Sequence, residues 1–196
     1  IESVPENYIE KINIDVDINK VTFEIKGAQT GEVHIKTPQG EIVKSFNNGK
    51  CEYIPQNPEL WSPENPYLYY CTVATDTDSV QTYFAIRTLE IKKANGISKT
   101  FLNGKPYFFH GLLDQGYFPD GIFLPAASEG YKDDILTAKA LGFNTLRKHI
   151  KVEPEEFYYQ CDKLGMVVFQ DMVNNGKYSF IRDTAMPTVL SKKCPS

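Results

Sequence analysis

The sequence of 196 residues lacks the features that mark several common functional classes. No apolar run approaches the ~20 residues of a membrane-spanning helix, so we expect no membrane partner. Lysine and arginine number 21 against 25 acidic residues, which gives a net charge of −4. The broad basic surface that nucleic-acid binding requires is therefore missing, and we expect no nucleic-acid partner. The sequence has no GxGxxG, Walker or GxSxG motif either, and we expect no cofactor.

Cysteine and histidine are scarce and scattered. The four cysteines form no CxxC pair, which argues against zinc fingers and thioredoxin-type redox sites. We expect mostly free, buried thiols, with a disulfide between Cys51 and Cys71 as the alternative, because these two would share one domain core. His34, His110 and His149 have no metal-ligand spacing, so we expect no metal site. The chain begins without Met or an export leader, so we expect its native start to be missing, and the compartment is undecided.

Residues 1–90 have the pattern of β-strands throughout. Ile12, Ile14 and Val16 alternate with polar residues, as in a half-buried strand. Turn signals such as residues 38–40, Pro-Gln-Gly, separate about seven short strands. The pattern predicts an antiparallel, immunoglobulin-like β-sandwich over residues 1–90.

Residues 91–196 alternate predicted strands with predicted helices. The strands are Tyr107–Leu113, Phe143–His149 and Met166–Gln170. Ser128 is placed to cap the first helix, which Gly142 ends, and Pro154 and Gly165 bound the second. The order β-α-β-α-β predicts right-handed crossovers and a parallel sheet. The tail from Gly176 to Ser196 has no clear period, and we expect much of it to be mobile.

Three stretches in this order carry a family resemblance. LWSPENPYLY (residues 60–69), FLNGKPYFFHG (residues 101–111) and LRKHIKVEPEEFYYQCDKLGMVVFQDM (residues 146–172) resemble glycoside hydrolase family 2, the β-galactosidase, β-glucuronidase and β-mannosidase group. The resemblance covers about residues 1–175. It implies an immunoglobulin-like sandwich over residues 1–90, followed over residues 91–196 by the first three βα units of a truncated (β/α)8 catalytic barrel.

The length of the second part bears on catalysis. A complete barrel needs about 250 residues, and only about 106 follow residue 90. In the family the acid/base Glu follows strand four and the nucleophile Glu follows strand seven, and neither motif occurs here. Retaining hydrolysis needs two carboxyl groups ~5–5.5 Å apart. The resemblance therefore implies a fragment of an enzyme that hydrolyses β-linked O-glycosidic bonds, and we expect the fragment to be inactive alone.

The carboxyl ends of barrel strands form the mouth of the active site. The resemblance therefore implies six candidate substrate-binding residues: Asp114, Gln115, Arg147, His149, Gln170 and Asp171. His149 lies one position before the family's sugar-contacting histidine, so a sugar contact and a hydrogen bond beside Arg147 are both open. Asp171 matches a family carboxylate, which binds a sugar hydroxyl or forms a salt bridge with Arg147 or Lys148. The first strand departs from the family motif, so the sugar is not specified.

A non-catalytic carbohydrate-binding or structural module is the alternative function. Trp61, Tyr67, Tyr117 and Phe118 would then form a sugar platform, whereas the prolines around Trp61 favour a rigid crossover that buries the indole. In the full-length enzyme the expected partner is an oligosaccharide or glycoside. A partial barrel also leaves an unpaired strand edge and apolar surface, so we expect self-association through it.

Overall fold

The structure, a computed structural model, describes residues 3–94 and 96–172. These residues divide into two compact units, one of residues 3–108 with 162–165 and the other of residues 109–161 with 166–172. The division between residues 90 and 91 stays a prediction. The tail from Gly176 to Ser196, expected to be mobile, lies outside the described residues, as does Cys194.

Seven antiparallel strands form the larger sheet of the first unit. They are β1 (Lys11–Val16), β2 (Val21–Lys26), β3 (Thr30–Thr37), β4 (Gly40–Asn47), β5 (Lys50–Tyr53), β6 (Tyr69–Ala74) and β7 (Ser79–Phe84). Their order in the sheet is β1-β2-β5-β4-β3-β6-β7. A single residue pair, Asn47 with Lys50, joins β4 to β5. The sheet folds over itself at this hairpin, which makes a β-sandwich.

The core of the sandwich lies between the two halves of the folded sheet. Phe23 in β2 and Phe84 in β7 are far apart in the strand order, yet their ring centroids are 5.8 Å apart. Tyr69 in β6 stacks on Phe84 at 5.0 Å. Along β2, Val21, Phe23 and Ile25 are buried and the residues between them are not. The period of two predicted from the sequence therefore orients one side of each strand into this core.

One strand of the sandwich has no counterpart among the segments predicted from sequence. Asn48 and Gly49 both have positive φ, 51° and 69°, and form the turn that starts β5. The strand that follows has only four residues. So short a strand carries little alternation, and the turn signal before it was the one local indication.

Three of the cysteines are free thiols in the structure: Cys51, Cys71 and Cys161. The disulfide between Cys51 and Cys71 is therefore not formed, and the expectation of free thiols is confirmed for these three. Cys71 is buried in the sandwich core. Burial raises the pKa of the Cys71 thiol to about 12 and also raises the pKa of Cys51.

Trp61 is buried within the first unit. Its side chain is 2% exposed, and its indole N–H donates to the carbonyl oxygen of Asp162 at 2.7 Å. The guanidinium carbon of Arg87 lies 4.5 Å from the centroid of the indole ring. Asn103 Nδ2 donates to the Trp61 carbonyl at 2.9 Å. The prediction of a crossover that buries Trp61 is confirmed, and a sugar cannot stack on a ring so enclosed.

A second antiparallel sheet completes the first unit. Its strands are β8 (Leu89–Ala94), β9 (Ile97–Leu102) and β10 (Lys105–Pro106). Asn103 and Gly104 join β9 to β10 with positive φ of 51° and 73°, as expected of an Asn-Gly hairpin turn.

The third sheet is parallel, and its strands alternate with helices in the β-α-β-α-β order predicted from the sequence. The elements are β11 (Gly111–Asp114), α1 (Glu129–Ala140), β12 (Thr145–Lys148), α2 (Glu155–Leu164) and β13 (Val167–Gln170). The three strands pair in parallel in the order β11-β12-β13. The predicted strand Tyr107–Leu113 begins too early, because His110 N donates to Asn144 Oδ1 at 2.9 Å instead of entering a strand ladder.

Of the two predicted ends of α1, the glycine stop is present and the serine cap is not. Gly142 has a φ of +89°, and its N–H donates to Lys139 O at 2.9 Å, so the predicted glycine stop is confirmed. Ser128 occupies the N-cap position but has helical dihedrals and makes no side-chain cap. Its hydroxyl lies 3.4 Å from Glu129 Oε2 instead. The predicted serine cap is therefore wrong.

Candidate functional site

The register of the parallel sheet divides the candidate residues between its two faces. In one row across β11, β12 and β13, Asp114 pairs with Lys148 and Lys148 pairs with Gln170. In the preceding row Leu113 pairs with Arg147 and Arg147 pairs with Phe169. Successive residues of a strand point to opposite faces, so Asp114 and Gln170 face away from Arg147.

The helices cover the face of Asp114 and Gln170. Lys148 Nζ lies 4.5 Å from the centroid of the Phe157 ring in α2, and the Tyr158 hydroxyl of the same helix donates to Gln170 Oε1 at 2.6 Å. Arg147 is exposed on the opposite face. The sheet therefore has a covered face and an open face.

A buried ionic cluster lies on the covered face, where β11 and β12 end. Lys148 is 1% exposed, and its Nζ lies 2.8 Å from Asp114 Oδ2 and 2.5 Å from Glu153 Oε1. Lys151 Nζ contacts the same Glu153 oxygen at 2.8 Å. The Tyr131 hydroxyl of α1 donates to the other oxygen, Glu153 Oε2, at 3.3 Å. Two cations and two carboxylates thus balance one another, which is what makes their burial tolerable.

The cluster alters the acidity of two groups on α1. Burial, together with the adjacent Glu153 carboxylate, raises the pKa of Tyr131 to about 12. Burial and then the nearby Asp114 carboxylate raise the pKa of Asp134, against the lowering effect of Lys148. The Tyr131 hydroxyl therefore stays protonated and remains a donor to Glu153 throughout the neutral range.

Gly116 allows the chain to pass directly over this cluster. Its φ is +64°, and its N–H donates to Asp114 Oδ1 at 2.7 Å. A Cβ at this position would lie 2.2 Å from Glu153 Oε1 and 2.6 Å from Lys148 Nζ. Only glycine satisfies both the left-handed dihedral and the close approach.

Both polar atoms of the Gln170 amide form hydrogen bonds within the second unit. Its Oε1 accepts from Tyr158, and its Nε2 donates to the carbonyl oxygens of Lys151 at 2.9 Å and of Asp171 at 2.7 Å. Tyr158 in turn accepts from the N–H of Glu153 at 3.2 Å. Gln170 therefore fixes the turn that carries Lys151 and Glu153.

Arg147 and Asp171 form a two-pronged ion pair. Arg147 Nε donates to Asp171 Oδ1 at 3.2 Å, and Arg147 Nη2 donates to Asp171 Oδ2 at 3.0 Å. The hydrogen bond with the Asp171 carboxylate raises the pKa of Arg147. Of the alternatives for Asp171, the structure contains the salt bridge with Arg147.

Gln115 and His149 meet just beyond the strand ends. Gln115 Nε2 lies 3.0 Å from His149 Nδ1, and the backbone N–H of His149 donates to Asp114 O at 2.9 Å. Ile150, the next residue, has a φ of +52°, which is a strained conformation for a β-branched side chain. The strain occurs where the chain leaves β12 and turns towards the ionic cluster.

Side chains of the types that bind metals do not cluster in the described residues. No group of three or more His, Cys, Asp or Glu side chains in residues 3–94 and 96–172 is arranged to hold a metal ion. In the same part of the chain, neither helix combines the length and apolar composition needed to cross a membrane.

Comparison with known proteins identifies the family. Residues 6–87, which include all of the sandwich strands, match the model of Glycosyl hydrolases family 2. The chain is 24% identical over 172 residues to a β-galactosidase of Staphylococcus xylosus, a match that covers 85% of this chain. It is also 28% identical over 190 residues to a β-glucuronidase of Mus musculus, covering 86% of this chain. Residues 6–87 are a glycosyl hydrolases family 2 segment.

The chain is much shorter than these relatives. The aligned part amounts to 17% of the S. xylosus protein and 28% of the mouse protein. Among solved structures, a Faecalibacterium prausnitzii β-glucuronidase superposes with a TM-score of 0.69 at 26% identity, covering 84% of this chain and 28% of that one. The predicted resemblance to family 2 is therefore confirmed.

Sequence reasoning identified Asp114 but missed three other residues of the buried cluster: Lys148, Lys151 and Glu153. The signal for Lys148 is its position in β12 two residues after the buried Leu146, which places it on the same side of the strand. A lysine on the apolar side of a strand was the available signal, since such a residue needs a buried partner.

Proposed function

We propose that this chain is part of a retaining β-glycosidase, which in its whole form hydrolyses β-linked O-glycosidic bonds. The observation that carries the proposal is the succession, in one chain, of a sandwich matched by family 2 and a parallel β-α-β-α-β sheet. In this proposal the sandwich is immunoglobulin-like and spans residues 1–90. Residues 91–196 then contain the first three βα units of a (β/α)8 barrel.

The two faces of the parallel sheet support a barrel. In a (β/α)8 barrel the helices cover the outside and the opposite face lines the interior. Here Phe157 and Tyr158 of α2 contact Lys148 and Gln170, whereas Leu113, Arg147 and Phe169 are exposed on the other face. These three side chains would line the interior once the remaining strands are added.

The carboxylates at the strand ends support the proposal that the chain is inactive by itself. Retaining hydrolysis requires one carboxyl group as acid/base and a second, ~5–5.5 Å away, as nucleophile. Asp114 and Glu153 are bound by Lys148 on the covered face, and Asp171 is bound by Arg147. Because each of the three is already paired with a cation, we assign neither catalytic role to them.

The proposed sugar contacts come from the residues at the mouth that keep accessible polar atoms. Gln115 and His149 form an accessible pair just beyond the strands, and Arg147 and Asp171 form another on the open face. The guanidinium and carboxylate groups of Arg147 and Asp171 can form charge-assisted hydrogen bonds with sugar hydroxyls, and the amide and imidazole of the first pair can also donate or accept hydrogen bonds. Asp114 and Gln170 act through the residues that they hold in place.

The alternative function, a non-catalytic carbohydrate-binding module, would need Trp61 to be accessible to a sugar. Trp61 is enclosed by Arg87 and Asp162, so the platform of Trp61, Tyr67, Tyr117 and Phe118 cannot form as a unit. A glycoside is the substrate class in the enzymatic proposal, in keeping with relatives that are named β-galactosidase and β-glucuronidase.

The experiment that tests the proposal is hydrolysis of nitrophenyl β-galactoside, β-glucuronide and β-mannoside by a form extended to the end of its reading frame. The expected result is release of nitrophenol from one of the three. Proton NMR of the first product should then show the β-anomer, because retention keeps the configuration. An α-anomer as first product would contradict the retaining mechanism, and inactivity on all three would contradict the glycosidase proposal.

A further inference from the structure

Two exposed aromatic rings lie together in the loop between β11 and α1. Tyr117 is 61% exposed and Phe123 is 60% exposed. Their ring centroids are 5.5 Å apart with an angle of 45° between the planes. An exposed large aromatic side chain leaves apolar surface in water, and two in contact form a patch that suits a ligand.

The loop is held in a defined conformation. Phe118 and Ile122 exchange two backbone hydrogen bonds, of 2.9 and 2.8 Å, which close the turn between the two rings. Lys151 Nζ, which belongs to the buried cluster, donates to the carbonyl oxygens of Gly116 and Phe123 at the two ends of this turn. The ionic cluster therefore anchors both ends, and little ordering remains to be done when a ligand binds.

We propose that Tyr117 and Phe123 form a stacking subsite for a pyranose ring, in the loop whose first residue, Gln115, is hydrogen-bonded to His149. The C–H bonds on one face of a pyranose carry partial positive charge, and the face of an aromatic ring is the negative part of its quadrupole. Ligand sites typically combine such aromatic surface with a few polar groups. Gln115, two residues before Tyr117, supplies an amide, and His149 supplies an imidazole.

This subsite rests on the proposed function in its choice of ligand, since a glycosidase must hold a sugar ring. It is separate from the platform expected from sequence: the structure pairs Tyr117 with Phe123 and sets Phe118 against Tyr131 of α1, with ring centroids 5.5 Å apart. Phe118 thus packs against α1, whereas the Tyr117 and Phe123 rings remain exposed.

The test is a titration of the full chain with methyl β-D-galactopyranoside and methyl β-D-glucuronide, followed by NMR. These probes have no aromatic group of their own. Tyr117→Ala and Phe123→Ala should each weaken binding of the preferred glycoside roughly three- to tenfold, the scale of one aromatic contact. Tyr117→Phe keeps the ring face and should bind like the parent chain. Tyr70→Ala, which removes a 41%-exposed tyrosine from β6, is the matched control and should change nothing.

Several results would overturn the subsite. The parent chain could fail to bind either methyl glycoside, or Tyr117→Ala and Phe123→Ala could bind as tightly as Tyr70→Ala. If the two variants changed only the sedimentation of the chain, the rings would be a contact between two copies. Failure of the proposed function looks different: the extended form would not hydrolyse any nitrophenyl glycoside, while the loss of binding in Tyr117→Ala would persist.

Discussion

Lys148 Nζ lies 2.5 Å from Glu153 Oε1, and the side chains of both residues are buried, with exposures of 1% and 0%. Lys148 ends β12, and Glu153 lies in the turn that leads to α2. Asp114 and Lys151 complete the charge balance, and Lys151 also holds the loop that follows β11. One buried ion pair thus fixes the backbone beyond two neighbouring strands, where the candidate residues lie.

Removing the cation from this pair should destabilise the chain strongly. Lys148→Met leaves Glu153 and Asp114 short of a buried partner, and breaking such a pair costs about 3–5 kcal/mol. The measurement is the free energy of unfolding in urea at neutral pH. Lys20→Met is the matched control, because Lys20 pairs with Glu52 at an exposed site and should contribute less than about 1 kcal/mol. Equal losses in the two variants would show that the buried cluster has no special importance.

Gly116→Ala should destabilise the chain by more than its dihedral angle alone explains. The added methyl group would overlap Glu153 and Lys148, and such overpacking costs about 1–3 kcal/mol. Gly104→Ala isolates the dihedral effect, because Gly104 has a similar φ of +73° and open space where a Cβ would lie. Thermal unfolding of both variants gives the comparison. A Gly104→Ala loss as large as that of Gly116→Ala would contradict the close approach.

The sandwich should lose stability in alkali. Burial raises the pKa of Cys71 from 9.0 to about 12 and the pKa of Tyr69 from 10.0 to about 12. Above pH 9 the unfolded chain therefore releases protons that the folded chain retains, and the free energy of unfolding falls as pH rises. Each fully titrating group contributes a slope of about 1.4 kcal/mol per pH unit.

Cys71→Ala tests the contribution of the thiol to this slope. Urea unfolding at several values between pH 9 and pH 11 should show a shallower decline for the variant than for the parent chain, whatever the variant's stability at pH 7. Identical slopes would mean that the Cys71 thiol ionises alike in both states.

The open face of the parallel sheet should cause self-association. Within the described residues β13 pairs on one side only, and Leu113 of β11 and Phe169 of β13 are exposed on the open face of the sheet. Unpaired strand edges and apolar surface of this kind favour contacts between copies. Light scattering should show a dimer or larger assembly that Leu113→Glu weakens. Val43→Glu, which alters an exposed apolar residue of β4, should have no effect. A monomer at every concentration would contradict this expectation.

Local chemistry accounts for the parts of the fold that the sequence predicted. Gly142 and residues 38–40 end or turn an element through their own conformational preferences, and both act as expected. Alternation of apolar and polar residues likewise predicted the half-buried strand that contains Ile12, Ile14 and Val16, which is β1. Such signals are contained within a few residues, so one sequence is enough to detect them.

The parts that could not be predicted depend on contacts between distant residues. The Ser128 hydroxyl lies beside a neighbouring carboxylate instead of capping its helix, and four-residue β5 is too short for a pattern. The role of Lys148 depends on the fold, because β11 places Asp114 beside it. Asp114 lies 34 residues earlier in the chain. Family resemblance supplied candidate positions at the strand ends but not the face to which each side chain points.

Parallel assays of this chain and of the form extended through its reading frame test whether the chain is an inactive part of a β-glycosidase. Both would be supplied with the nitrophenyl β-galactoside, β-glucuronide and β-mannoside. We expect hydrolysis of one glycoside by the extended form and none by the 196-residue chain, since both catalytic carboxylates would come from later barrel strands. Hydrolysis by the 196-residue chain itself would show that its own carboxylates are sufficient for catalysis and would overturn the proposal.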